Sequence, residues 1–298
     1  MSQIITKKIC SKIHIFLIII FIIATTGCVP ETVFKEDEKM TQFSGEEEII
    51  SEGIPEPAEE KWVLVWSDEF NGTGINRDNW SFDIGTGNNG WGNNELQYYT
   101  DRPGNIRIED GALVIEARKE DYEDSKYTSA RIKTEHKKFW TYGKIEARIK
   151  LPRGKGIWPA FWMLGESFNA TNWPGCGEID IMEMIGGGSN DGTCHCAIYW
   201  DKDGLVSAAG STILPDGIFA DDYHVFGIDW DKEAIRWFLD GKKYHTENIT
   251  NEDQSELHDN FFIILNCAVG GNWPGSPLKS TIFPQKMLVD WVRVYQKI

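Results

Sequence analysis

The sequence from about Trp62 to Ile298 predicts an all-β fold, an antiparallel β-sandwich or barrel that forms one domain. Asn-Gly and Asp-Gly turn signals recur at short intervals, for example at 71–72 and 110–111. Short runs of alternating polar and apolar residues lie between these turns, and no stretch keeps a helical period over three turns. Many short strands joined by tight turns are typical of β-sandwiches and barrels.

The clearest pair of strands is the segment AIRWFLDGKKYHT (234–246). Ile235, Trp237 and Leu239 share one face of the first strand, and the Asp-Gly pair that follows suits a type I′ hairpin turn. Two further segments alternate in the same way: ALVIEARK (112–119) and GKIEARIKL (143–151).

Residues 1–27 predict a lipoprotein signal peptide. Three lysines form a positive segment before a largely apolar run over 13–23, which is too short to span a membrane. The following Thr-Thr-Gly-Cys resembles the bacterial lipobox, in which the Cys, here Cys28, becomes the lipid-modified first residue. The alternative is ordinary cleavage with a free Cys28. The lipobox predicts an exported protein that is anchored on the outer face of a bacterial membrane.

Residues 28–61 predict an acidic, disordered tether, because this stretch holds three prolines and no sustained period. The net charge of the chain is −16, and removal of a leader with three Lys and no acids takes it to −19. Nucleic acid and anionic membrane surfaces are therefore poor partners, and we expect membrane contact only through the lipid anchor. A neutral ligand is compatible with this charge, and we expect a monomer.

Four of the six cysteines belong to the predicted domain: Cys176, Cys194, Cys196 and Cys267. An exported protein can form disulfides, and four cysteines allow three connectivities that the sequence does not rank. On a strand, Cys194 and Cys196 share one face while His195 takes the other. This arrangement divides the ligands that a tetrahedral metal site would need.

All thirteen tryptophans lie in the predicted domain. For any single Trp, packing in the core is the simpler interpretation, since large rings dominate burial. Several, however, cluster beside Gly, Asn and Pro, in loops and at strand ends: GWGNNELQYY (90–99), GIWPAFW (156–162), NWPG (172–175) and GNWPG (271–275). Aromatic faces presented with amide and hydroxyl groups suit sugars, so these clusters together favour a carbohydrate cleft.

One competing motif fails on its context. The stretch GTGNNG (85–90) fits the pattern GxGxxG of dinucleotide-binding proteins, but no helical pattern follows it and no βαβ unit surrounds it. We therefore interpret it as a flexible loop.

Three carboxylates in the stretch GEIDIME raise a question of parity. A regular strand would place Glu178 and Asp180 on one face and Glu183 on the other. A β-bulge at Ile181-Met182 would add one residue and return Glu183 to the face of the other two. A solvated acidic face on an edge strand is the alternative.

The bulged geometry also predicts a chemistry. The two Glu backbones would lie roughly 13 Å apart, which brings their carboxyl groups within reach of the ~5–5.5 Å separation of a retaining glycosidase. One ionised Glu would attack the anomeric carbon, while the other would protonate the leaving oxygen and later activate water. Three like charges on one face cannot all ionise cheaply, so the pKa of at least one is raised. Asp180 can also hold Glu178 in place by a hydrogen bond.

The stretch CGEIDIME (176–183) resembles the ExDxxE active-site strand of glycoside hydrolase family 16, and its bulged form resembles the laminarinase branch. The resemblance runs from about Trp62 to Tyr295 through six further motifs: WSDEFNG (66–72), NNELQYYT (93–100), SARIKT (129–134), YGKIEARIKLPRGKGIWPAFWML (142–164), FGIDW (226–230) and VDWVRVY (289–295). For residues 62–298 it implies a β-jelly roll with a concave substrate cleft and retaining endo-hydrolysis of β-1,3-glucan.

Two alternatives remain beside this function. Mixed-linkage β-1,3-1,4-glucan is the nearest competing substrate, since bulged members of the family can accept it. A non-catalytic glucan-binding protein on the same fold belongs to a different class, and such proteins lack the catalytic glutamates that this sequence retains.

The resemblance assigns roles residue by residue. It implies that Glu178 is the nucleophile, Glu183 the acid/base and Asp180 the assisting residue. The residues that match sugar-contacting positions are Arg131, Trp158, Trp162 and Trp173, with Asn94, His195 and Trp273 as weaker matches. Relatives more often place small or β-branched residues where Cys194 and Cys196 flank His195.

The resemblance implies no cofactor for catalysis, but family members often hold one structural Ca²⁺ on the convex side. The matching positions are Glu69, the backbone carbonyl of Gly111 and Asp290. Oxygen ligands suit calcium. Paired surface acids are the alternative interpretation of the two carboxylates.

Overall fold

The computed structural model describes residues 61–298, so the predicted signal peptide, Cys28 and nearly all of the tether lie outside the described residues. Within this range the predicted all-β fold is confirmed, because strands form two sheets and only short helical turns connect them. No helix among residues 61–298 is long and apolar enough to cross a membrane.

The first sheet has ten strands and is antiparallel except for one parallel pair, Gln97–Tyr99 with Ser125–Ser129. Its strands are β1 (Trp62–Asp68), β3 (Gln97–Tyr99), β4 (Ile106–Glu109), β5 (Ala112–Tyr122), β6 (Ser125–Ser129), β8 (Gly143–Lys150), β13 (His224–Trp230), β14 (Ala234–Leu239), β15 (Lys242–Asn248) and β17 (Gln285–Lys297). The order across this sheet is β15-β14-β13-β8-β17-β5-β6-β3, with β1 added beside β17 and β4 beside β5.

The second sheet has seven strands in the order β12-β11-β10-β9-β16-β7-β2, all antiparallel. Its strands are β2 (Ser81–Phe82), β7 (Arg131–Lys133), β9 (Ile157–Gly165), β10 (Glu178–Glu183), β11 (Thr193–Asp201), β12 (Leu205–Ile213) and β16 (Phe261–Val269). The helical turns are α1 (Phe168–Thr171), a π-helical turn at Gly90–Asn94, and two 3₁₀ turns at Gly188–Gly192 and Glu252–His258.

The main core lies between the two sheets and follows the period of two that the sequence shows. In β8, buried and partly exposed residues alternate along the whole strand. The hairpin predicted at 234–246 is β14–β15, where Ile235 and Trp237 are fully buried. Asp240 and Gly241 have φ values of 49° and 76°, the left-handed conformation that a type I′ turn requires.

Strand β10 contains the predicted bulge. Asp180 lies opposite Ala197 of β11, whereas Glu183 lies opposite His195, so three steps along β10 match two along β11. The pairing of β10 with β9 shifts at the same place. The extra length falls at Ile181-Met182, which is buried in the main core. The predicted bulge is thereby confirmed.

All four cysteines in the described range are buried free thiols. Cys194, Cys196 and Cys267 pack in the main core, and Cys176 belongs to a smaller apolar cluster. The two thiols of β11 thus point away from the imidazole of His195, which contacts an exposed aromatic ring instead. No group of three or more His, Cys, Asp or Glu side chains within residues 61–298 is placed to hold a metal ion.

Candidate active site

The face of the seven-stranded sheet that points away from the main core carries the three carboxyl groups of β10, and we call it the cleft face. Asp180 hydrogen-bonds with the side chains of both Glu178 and Glu183. Asp180 is buried, and the two glutamates are partly buried. Because the three carboxyl groups are in contact, they must share protons rather than all ionise.

Two tryptophan side chains hold the outer carboxyl groups. The Nε1–H of Trp158, on β9, donates to Oε1 of Glu183 at 2.9 Å. Trp173, in the loop between β9 and β10, hydrogen-bonds with Glu178, and its ring centroid lies 5.9 Å from that of Tyr199 on β11. Hydrogen bonds donated to a carboxylate favour its ionised form and fix its orientation.

Arg131 on β7 supplies a positive charge to the cleft face. Its guanidinium carbon lies 5.0 Å from the ring centroid of Trp91 and 4.9 Å from that of Trp162, so it is placed near two indoles. The guanidinium also pairs with Asp83 at 2.9 Å. The charge of Arg131 favours the ionised form of Glu178 by lowering its pKa.

Aromatic and amide side chains form a rim beside Glu183. The ring centroid of Trp273 lies 5.0 Å from that of His195 and 5.6 Å from that of Trp158. Asn94 Nδ2 donates to Asn272 Oδ1 at 3.0 Å, which joins the loop before β3 to the loop after β16. Trp273 is 41% exposed, so its ring remains available to a ligand.

Burial raises the pKa of all three carboxyl groups of β10. For Glu178 the charge of Glu183 is the next cause, and for Asp180 the charges of both glutamates add to burial. For Glu183 the hydrogen bonds from Trp158 and Asp180 partly oppose the rise. Burial is the largest cause for both glutamates, and the pKa rises to about 8 for Glu178 and to about 7 for Glu183, so these shifts do not separate a base from an acid. The charge of Arg131 acts on Glu178, while a further carboxylate acts on Glu183.

The structure adds residues that the sequence analysis did not identify. Asn266 Oδ1 accepts a hydrogen bond from Trp162 Nε1 at 2.7 Å, and Glu95 is the further carboxylate whose charge raises the pKa of Glu183. The others are Asp83, Trp91 and Tyr199. The sequence feature that could have pointed to Trp91 and Glu95 is the Gly-rich stretch that leads into NNELQYY. We interpreted its first part as a flexible loop, but it enters a compact turn closed by backbone hydrogen bonds, such as Gly92 N to Asn88 O at 2.9 Å.

The predicted calcium ligands lie on the ten-stranded sheet, at the end of β1, in the turn before β5, and on β17. Both carboxylates are engaged by arginines. Arg293 donates to the two oxygens of Glu69 at 3.0 and 2.8 Å, and Arg148 donates to Asp290 at 2.6 Å. In this arrangement the donor set does not fit Ca²⁺, because its negative charges are already neutralised by guanidinium groups.

A β-sandwich with a contacting carboxyl pair, flanked by indoles on one face, has the parts of a glycoside hydrolase. Comparison with known proteins identifies the family. The family model for glycosyl hydrolases family 16 matches residues 93–293. The chain belongs to this family, and catalysis in it requires no cofactor.

Relatives named for β-glucan hydrolysis resemble the chain over most of its length. A beta-glucanase of Rhodothermus marinus is 43% identical over 249 residues, which cover 79% of this chain and 85% of that protein. The solved catalytic domain of a laminarinase from Thermotoga maritima has a TM-score of 0.74 and 45% identity, covering 80% of this chain and 100% of that one. The clotting factor G alpha subunit of Tachypleus tridentatus is 45% identical, but the chain spans only 34% of its length.

Proposed function

We propose that this protein is a retaining endo-hydrolase of β-1,3-glucosidic bonds in β-glucans such as laminarin. The observation that carries the proposal is the contact between Glu178, Asp180 and Glu183 on one face of a sheet. The printed names of the similar beta-glucanase and laminarinase support the substrate class. The net charge of −16 favours a neutral polysaccharide over an anionic one.

Hydrolysis would proceed in two displacements. The ionised carboxylate of Glu178 attacks the anomeric carbon while Glu183 gives its proton to the glycosidic oxygen, so the C–O bond breaks and a glycosyl ester forms. The carboxylate of Glu183 then takes a proton from water, whose oxygen attacks the same carbon and releases Glu178. Two inversions at one carbon leave its configuration unchanged.

The neighbours of the two glutamates support these roles. The hydrogen bond with Trp173 and the charge of Arg131 both oppose the rise in the pKa of Glu178 that burial and the charge of Glu183 cause, which favours the ionised form that the nucleophile needs. Asp180 contacts both glutamates, so it can pass its hydrogen bond between them as the charge moves. Trp158 fixes the carboxyl group of Glu183 at the edge of the cleft face.

Substrate binding would depend on the aromatic side chains around these carboxyl groups. Exposed indoles stack on the CH faces of glucose units, while amide and imidazole groups bond to the hydroxyls. The residues that we propose for this role are Arg131, Trp158, Trp162, Trp173, Asn94, His195 and Trp273.

Product analysis on defined glucans tests the function. We expect reducing-sugar release from laminarin to exceed that from lichenan, with none from cellulose, and the first product seen by NMR to be the β-anomer, because retention preserves the configuration. Greater activity on lichenan would favour the mixed-linkage alternative. Binding of laminarin without any release from either glucan would identify a non-catalytic glucan-binding protein.

Substitution of each glutamate separates their roles. Glu178→Gln should abolish turnover of both laminarin and a dinitrophenyl glucoside, because no glycosyl ester can form. Glu183→Gln should slow laminarin hydrolysis by about 10²- to 10⁴-fold yet still release dinitrophenol, a leaving group that needs no proton. Glu233→Gln, an exposed change in the turn between β13 and β14, is the matched control. The opposite pattern would exchange the two roles.

The structural Ca²⁺ predicted at Glu69, Gly111 and Asp290 would require both carboxylates to exchange an arginine for the ion. Because both carboxylates are already paired with arginines, we expect equal midpoints of thermal unfolding in CaCl₂ and in chelator. A higher midpoint in CaCl₂ would support the metal site, because a ligand that binds only the folded chain stabilises it.

The chain is further proposed to be an exported monomer in three parts: residues 1–27 as a signal peptide, 28–61 as a tether and 62–298 as the catalytic domain. The positive leader and the lipobox-like Thr-Thr-Gly-Cys support a lipid anchor at Cys28. In a bacterial host fed an alkyne-labelled fatty acid, the parent protein should carry the label and Cys28→Ser should not. Equal labelling of both would contradict the anchor.

A further inference from the structure

A fourth carboxyl group, that of Glu95, lies in a different part of the chain, and its charge raises the pKa of Glu183. Gln97 Nε2 donates to Glu95 Oε2 at 2.6 Å, and the hydroxyl of Tyr99 donates to the same oxygen at 3.2 Å. Both donor side chains are fully buried. The side-chain amide of Gln97 cannot flip without losing a hydrogen bond, because its Oε1 accepts the backbone N–H of Val269 at 2.7 Å.

The hydrogen bonds continue from Glu95 to the cleft face. The hydroxyl of Tyr99 accepts from Asn266 Nδ2 at 3.3 Å, and Asn266 Oδ1 accepts from Trp162 Nε1 at 2.7 Å. Because Tyr99 accepts from Asn266, its own proton is free to point at Glu95. Two donors therefore converge on one carboxylate oxygen, an arrangement that favours the ionised form of Glu95.

The chain before Glu95 forms a tight turn with several residues in the left-handed conformation. Asn89, Trp91 and Asn94 all have φ values between 49° and 55°, in the left-handed region that side chains rarely adopt. A Cβ on Gly90 would lie 2.4 Å from the backbone nitrogen of Glu95, so the turn also needs glycine there. Such strain persists where the surrounding structure demands it, and it is concentrated at functional sites.

Opposing effects act on the charge of Glu95. Burial is the largest cause and raises the pKa of Glu95 above its usual value, while the hydrogen bonds from Gln97, Tyr99 and Asn93 and the charge of Arg131 limit this rise. Arg131 acts in the same direction on Glu178. Arg131, which pairs directly with Asp83 at 2.9 Å, thus also acts on the carboxyl groups of both Glu95 and Glu178.

We infer that Glu95 is a positioning residue of the active site: its negative charge partly neutralises Arg131 and keeps the acid/base Glu183 protonated at working pH. The inference rests on the proposed glycosidase function. Glu95 touches neither reacting group in this arrangement and acts through the electrostatic field that it sets up across the cleft face.

Glu183 has other titratable neighbours, and each of them could affect its pKa. On its own strand, Glu183 lies on the same face as Glu178 and Asp180. On β11, its charge raises the pKa of three further groups: Cys194, Cys196 and Tyr199. His195 lies on the same face, and burial lowers its pKa. Burial raises the pKa values of the thiols and the phenol, which keeps them neutral. Glu95 is therefore the charge from outside β10 that opposes ionisation of Glu183.

The pH dependence of kcat/KM for Glu95→Gln tests this inference. Loss of the negative charge lowers the pKa of Glu183, so the alkaline limb moves to lower pH by roughly half a pH unit or more. Arg131 keeps its ion pair with Asp83 but loses the opposing charge of Glu95, so it lowers the pKa of Glu178 further and the acid limb moves in the same direction. We expect the whole bell-shaped pH profile of kcat/KM to shift to lower pH.

Three variants serve as controls. Glu95→Asp keeps the charge and should keep the alkaline limb near its parent position, even if kcat falls. Trp158→Phe removes the hydrogen bond that lowers the pKa of Glu183, so its alkaline limb should move to higher pH, the opposite direction. Glu233→Gln makes the same chemical change at an exposed position in the turn between β13 and β14 and should leave both limbs in place.

A reduced rate for Glu95→Gln with both limbs unmoved would overturn the inference and leave Glu95 a structural residue. Failure of the proposed function gives a different result, since the parent protein would then release no sugar from any glucan. In that case the carboxyl carbons of protein labelled with ¹³C-glutamate are titrated by NMR in the parent and in Glu95→Gln. An unchanged Glu183 titration there would likewise overturn the coupling.

Discussion

The arrangement of the cleft face depends on one extra residue in strand β10. Side chains alternate along a strand, so without the bulge Glu183 would point into the main core and an apolar residue would face the cleft. The added residue keeps Ile179 and Ile181-Met182 buried while both glutamates emerge on the other side. Neighbouring strands β9 and β11 pair with β10 on both sides of the bulge, which holds it in register.

Burial of three contacting carboxyl groups is costly, and the surrounding side chains limit that cost. Ionised groups removed from water need hydrogen-bond donors or opposite charges to replace their hydration. Indole N–H groups from Trp158 and Trp173 and the guanidinium of Arg131 supply these at the cleft face. Indoles can do so and still present flat apolar faces, which makes the same side chains suited to a sugar ligand. The same residues can therefore both stabilise the buried carboxylates and bind a sugar.

The active site is formed by strands of the seven-stranded sheet together with the turn that ends at Glu95. Arg131 lies on β7, the indoles of Trp158 and Trp162 lie on β9, and the amide of Asn266 lies on β16. The antiparallel register sets the positions of these side chains relative to one another and to β10. The turn that ends at Glu95 brings a further carboxylate toward this sheet. Its left-handed residues lie outside the sandwich core and set the path of the backbone that leads to Glu95.

Local pattern in the sequence determined much of this protein: the strands with their period of two, the hairpin at 234–246, and the bulge that parity demanded among Glu178, Asp180 and Glu183. These features depend on residues within a few positions of one another, and backbone geometry alone links them. Only the tertiary structure decided that Asn266 would link Trp162 to Tyr99, that Arg293 would engage Glu69, and that four cysteines would stay unpaired. The partners in these contacts come from distant segments, and sheet register and loop packing, rather than any local pattern, bring them together.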